Sequence, residues 1–144
     1  MTLDDLNLQE GDWASLGEAA GAIRQRVFID EQEVPQEEEW DGLDPQCRHF
    51  LAYRGSQALG TARLLPDGHI GRVAVLLEGR GKGVGRALME AAIVCAQRHG
   101  HSRVVLSAQT HALAFYESLG FIAQGDEFLD AGIPHREMVL KLSK

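Results

Sequence analysis

Arg80-Gly81-Lys82-Gly83-Val84-Gly85-Arg86 separates an apolar, strand-like run over residues 70–77 from a segment over residues 84–99. In that segment Ala87, Leu88, Ala91, Ala92 and Cys95 recur at helical spacing. A strand that becomes a helix through three alternate glycines and three cations suits an anion. The helix N-terminus carries unpaired N–H groups and about half a positive charge, and glycine lets the backbone approach a phosphate with no side chain in between. Arg80, Lys82 and Arg86 can add charge-assisted contacts. Tight packing also selects glycine, so the turn alone leaves both readings open. Spacing removes two nucleotide motifs. A Walker A loop needs Ser or Thr after its Gly-Lys, but Gly83 follows Lys82, and the third glycine of a dinucleotide fingerprint is replaced by Arg86.

Upstream of the turn, residues 6–10 alternate as a strand, and Asp12 reads as the N-cap of a helix that starts at Trp13 and carries Leu16, Ala19, Ala20, Ile23 and Val27 inward. Pro35 ends that segment. An irregular loop then runs through Glu37-Glu38-Glu39-Trp40-Asp41 to Cys47, and its carboxylates read either as a solvated face or as a rim that attracts an amine. Residues 48–54 and 57–64 form a hairpin about Gly55-Ser56, and Pro66-Asp67-Gly68 makes a further turn. Downstream, Gly100 ends the helix, residues 103–107 read as a buried strand, and residues 110–119 as a short helix stopped by Gly120. Two strands, 121–128 and 135–142, close the chain around residues 130–134. The predicted fold is α/β (α+β): one mixed, mostly antiparallel sheet of six to seven strands flanked by helices, each burying one apolar stripe.

The 144 residues, 44% hydrophobic, fit a single domain with one core. No stretch approaches the roughly 18 apolar residues of a membrane span, and residues 1–5 are acidic where a signal peptide is basic, so a cytoplasmic location is expected with no membrane partner. A net charge of −7 argues against nucleic-acid binding and favours a cationic substrate. Cys47 and Cys95 lack metal-site or redox spacing, and the histidines show no metal pattern, so no metal is expected.

Arg80-x-x-Gly83-x-Gly85, the preceding Arg72-Val73-Ala74-Val75, Ala108-Gln109 and then Ala114-Phe115-Tyr116-Glu117-Ser118-Leu119-Gly120-Phe121 follow one another along the chain. In these motifs and their order, the sequence resembles the GCN5-related N-acetyltransferase (GNAT) family over nearly its whole length. Val27-Phe28-x-x-Glu31-Gln32 and Asp130-Ala131-Gly132-Ile133-Pro134-His135 bring it nearest the bacterial ElaA/YjcF-like group. The resemblance implies one N-acetyltransferase domain over residues 1–144 with splayed central parallel strands. It further implies acetyl-CoA as co-substrate, held by Val73, Ala74 and Val75 along its arm, by Arg80, Gly81, Lys82, Gly83, Val84, Gly85 and Arg86 at its pyrophosphate, and by Phe115 and Tyr116 near its sulfur.

Acyl transfer to an amine requires a deprotonated nitrogen, a polarised carbonyl and a stabilised thiolate. By resemblance, the Tyr116 hydroxyl serves the thiolate. Glu31 and His135 are the candidates for the base; His111, at a helix start, reads first as a capping group. Phe28, Glu31, Gln32, Gln109 and His135 are expected to meet the acceptor, a small-molecule amine or a protein or peptide amine. Edge strands of a small sheet also open a route to a homodimer. A non-catalytic acyl-CoA sensor and a protein-interaction domain built on the acidic loop are the alternatives.

Overall fold

The computed structural model describes residues 6–142; the acidic start at residues 1–5, on which the leader reading drew, lies outside them. β1 (Leu6–Gly11) leads into α1 (Trp13–Arg24), whose N-cap Asp12 accepts the Ser15 N–H at 2.9 Å. The helix continues through a π-helical stretch, Gln25–Glu31. Residues 35–47, read as irregular, contain the short α2 (Gln36–Glu39) and a 3₁₀ turn at Asp44–Gln46. Strands β2 (Arg48–Arg54), β3 (Gln57–Leu64) and β4 (Ile70–Val75) follow, then α3 (Val84–Arg98), β5 (Arg103–Gln109), α4 (Leu113–Glu117), β6 (Ile122–Asp130) and β7 (Ile133–Lys141). The α4 helix is shorter than the predicted 110–119 because its first turn, Thr110–Ala112, is 3₁₀.

The seven strands form two antiparallel sheets, β1-β2-β3-β4 and β5-β7-β6. They meet through the parallel bridge between His69 and Val105, where the Val105 N–H also donates to the Gly68 carbonyl at 3.1 Å. Beyond that point β4 and β5 separate, so the mixed sheet is split along its centre. The last hairpin turns on Ala131 and Gly132 alone, both at positive φ (53° and 76°), which lets β6 and β7 extend further than the five-residue turn predicted at 130–134.

The two helices cover opposite faces of the first sheet, as strand alternation requires. Leu16, Ala20, Ile23 and Val27 pack with Leu51, Ala74 and Leu76, while Val84, Leu88, Ala92 and Cys95 pack with Phe50, Ala52, Leu59 and Ala62. Cys47 and Cys95 are both free and buried.

Candidate active site

The turn after β4 has the geometry an anion needs. Gly81 and Gly83 take left-handed backbones (φ 76° and 83°), which glycine adopts at little cost, and Gly83 is the N-cap of α3. No side chain caps α3, so the first N–H groups of a 15-residue helix face outward without an intrahelical partner. Of the three cations, Arg86 is exposed and has no ion-pair partner among the described residues. Lys82 folds back to donate to the Glu78 carbonyl at 3.0 Å. Arg80 is committed elsewhere: its Nε donates to the Val75 carbonyl at 2.9 Å, and Nη1 and Nη2 grip both oxygens of Glu31 at 2.9 and 2.8 Å. That grip holds the Glu31 carboxyl below the ordinary carboxylate range.

The gap between β4 and β5 opens into a cavity of about 980 Å³ lined by Phe28, Glu31, Gln32, Val73, Ala74, Val75, Arg80, Gln109, Tyr116 and His135, so the predicted arm-binding, acceptor and catalytic residues converge. Gly81 to Arg86 and Phe115 stand beside it; Phe115 packs near Gly85, where a Cβ would lie 3.6 Å from its ring. The Tyr116 ring meets Phe115 and Phe121 edge-on, at 5.0 and 6.0 Å between centroids. Burial pushes its phenol up to about 12.

His135 is buried and stacks on Phe128 at 5.9 Å. Its Nδ1 lies 2.6 Å from the Ile133 carbonyl, which can only accept; Nδ1 therefore carries a proton, and the neutral ring then has its lone pair on Nε2. His111 does not cap backbone: its Nε2 bonds the Gln109 side-chain oxygen at 2.6 Å, and Gln109 donates to Gln32 at 2.9 Å, tying α4's approach to the end of the π-helical stretch.

The acidic loop is not a solvated face. Glu39 and Asp44 are buried, and with Asp41 they alternate with three arginines in a closed ring. Arg24 contacts Glu39 and Asp44 at 2.7 Å each, Arg63 contacts Asp44 at 3.0 Å and Asp41 at 2.5 Å, and Arg72 reaches Asp41 at 3.3 Å and Glu39 at 3.2 Å. Trp40 covers Arg24 at 4.9 Å. Only Glu37 and Glu38 of the cluster remain exposed without an ion pair among the described residues. Arg24, Arg63 and Arg72 were not among the predicted site residues; Arg63 and Arg72 are the sole charges in β3 and β4, and Arg24 ends α1.

Residues 15–142 match the family model for the acetyltransferase (GNAT) domain. The chain belongs to the GNAT acetyltransferase family. A Bacillus subtilis protein named "Uncharacterized N-acetyltransferase YjcF" is 40% identical over 121 residues, spanning 81% of this chain and 86% of that one. The crystal structure of an acyl-CoA N-acyltransferase from Pseudomonas aeruginosa superposes with a TM-score of 0.80 at 36% identity, covering 93% of this chain and 98% of the other. Escherichia coli ElaA superposes with a TM-score of 0.82 at 31% identity, covering 93% and 98%. This GNAT chain is accordingly an acyl-CoA-dependent N-acetyltransferase, transferring an acyl group to an amine. No helix among its described residues is long and apolar enough to cross a membrane, and no group of three or more His, Cys, Asp or Glu among them could hold a metal.

Proposed function

We propose that the chain is a single cytoplasmic domain that transfers acetyl from acetyl-CoA directly to a cationic primary amine within a ternary complex. The observation that carries this reading is the convergence of Val73–Val75, Tyr116 and His135 on one cavity beside an uncapped helix N-terminus. The first N–H groups of α3 and the free Arg86 would hold the pyrophosphate, and the unpaired edge of β4 would hold the pantetheine arm. Acetyl-CoA supplies the acyl group as a thioester.

His135 is the group suited to take the acceptor's proton, because its tautomer leaves Nε2 as a base. Glu31 is less suited: Arg80 keeps it a carboxylate, further from the ammonium pKa of about 10. It serves instead as a fixed negative charge at the cavity wall. The Tyr116 hydroxyl stays protonated and donates a hydrogen bond to the leaving sulfur. Among the charged residues lining the cavity, Arg63, Arg72 and Arg80 all face carboxylates, whereas Glu38 and Asp130 have no ion-pair partner among the described residues. The surplus is negative, as an ammonium acceptor requires.

Thiol release from acetyl-CoA across a panel of polyamines, amino acids and lysine peptides tests the proposal. Saturable release with at least one amine, and intersecting double-reciprocal lines, are expected. Parallel lines, or release from none of the amines despite acetyl-CoA binding, would overturn it.

A further inference from the structure

Arg72 breaks a backbone rule. It has φ 50°, a left-handed conformation that costs a non-glycine residue about 1–2 kcal/mol, yet it lies within a strand. The register shows why. Thr61 of β3 pairs with Ala74 and Arg63 pairs with Gly71, so a two-residue step on β3 faces a three-residue step on β4, and Arg72 sits in the bulge. The bulge falls three residues beyond the last contact between the sheets, at His69, and immediately before Val73 and Ala74, which line the cleft.

The side chain supplies what the backbone lacks. The Arg72 guanidinium closes the six-membered charge ring, meeting Asp41 and Glu39, and its Nη2 also donates to the Glu38 and Glu39 carbonyls at 3.3 and 3.2 Å. Its Nε is buried without an aligned hydrogen bond although Glu39 lies 3.2 Å away, so the guanidinium sits where the carboxylates draw it at the expense of its own geometry. The ring's other arginines come from α1 and β3, which anchors the carboxylates to the layer behind the cleft.

We propose that Arg72 is a positioning residue: the ring captures its guanidinium, and this tether holds β4 in the bulge that opens the cleft and presents Val73 and Ala74. The inference rests on the reading of that cleft as the acetyl-CoA site, and it concerns how the cleft is kept open.

The test compares R72A, R72G and D41N by acetyl-CoA calorimetry, by thermal melting and by the amide resonances of Val73 and Ala74. R72A removes the tether and keeps the penalty of positive φ, so acetyl-CoA should bind about tenfold more weakly, the size of one left-handed residue's cost. R72G removes the tether and the penalty together, and should recover most of the binding. D41N should move the Val73 and Ala74 amides in the same direction as R72A while leaving a folded protein. Wild-type binding in R72A with unmoved amides would overturn the proposal. So would equal losses in R72A and R72G, which would assign the effect to the side chain touching ligand. If the wild-type chain does not bind acetyl-CoA at all, the reading of the site fails, and the amide shifts in R72A and D41N still decide whether the tether exists.

Discussion

At the scale of single residues, the proposed chemistry turns on two protons. Burial holds the Tyr116 phenol protonated up to about 12, so in the proposed mechanism its part is donation, and Y116F should lower kcat by roughly 10²–10⁴ while leaving acetyl-CoA affinity unchanged by calorimetry. His135 and Glu31 separate by pH–rate profile. A base must lose its proton before it acts, so kcat/KM rises with pH through the base's own titration. H135N should abolish that rise; E31Q should keep it and raise the amine KM, because it removes a fixed charge. Persistence of the rise in H135N would transfer the role elsewhere. Tyr116 and His135 stood out in the sequence as candidates because each sits in a short local motif, and both line the cavity. The Glu31–Arg80 clamp was not, because its partners are 49 positions apart and each had another ready explanation, as helix end and as phosphate ligand.

Elements decide how closely the machinery fits together. Gly60 on β3 lies under α3: a Cβ there would stand 2.9 Å from both Leu88 Cδ1 and Val84 Cγ1 and 3.1 Å from the Ala74 carbonyl. G60A should therefore cost about 1–3 kcal/mol by urea unfolding. It should also weaken acetyl-CoA binding, because the displaced element begins with the N–H groups that would hold the phosphates in the proposed site. The helical and strand periods were readable from the sequence, and so was the turn between β4 and α3, where glycines and cations cluster. The π-helical stretch was not, since its apolar spacing over so few residues continues that of α1. Nor was the β4 bulge: such a backbone favours glycine, and the residue there is Arg72, stabilised by partners distant in sequence.

The whole molecule is fastened by the charge ring, which joins α1, the 36–44 segment, β3 and β4. Its carboxylates set the acid limit of the fold. Arg63 holds Asp41 far below its usual range; burial alone would raise Asp44, but Arg24 and Arg63 bring it below. Carboxylates depressed in the native state stabilise above their unfolded pKa of about 3.9, and that contribution is lost as pH falls through the native values. His49 acts earlier. Burial lowers its pKa, so the unfolded chain takes up that proton first and stability begins to fall below about pH 6.5. Urea midpoints should thus decline in two stages on acidification, and H49Q should remove the first stage alone. In the sequence Glu39 and Asp41 stand in a charge run that read as a solvated face or an amine-attracting rim, because only the tertiary fold brings three arginines to them.

The parallel bridge at His69 and Val105 leaves the facing edges of β4 and β5 without each other beyond it. A molecule lying in that gap becomes a guest strand, taking backbone partners that a continuous sheet would have supplied from the chain itself. The co-substrate would then finish the fold as well as feed the reaction. At one hundred times its dissociation constant, acetyl-CoA should add about 2.7 kcal/mol to the free energy of unfolding. The amides of Val73 and Val75, which alternate away from β3, should pass from rapid to slow hydrogen exchange as it binds, while those of Ala74, paired with Thr61, and of β2, already flanked on both sides, should change little.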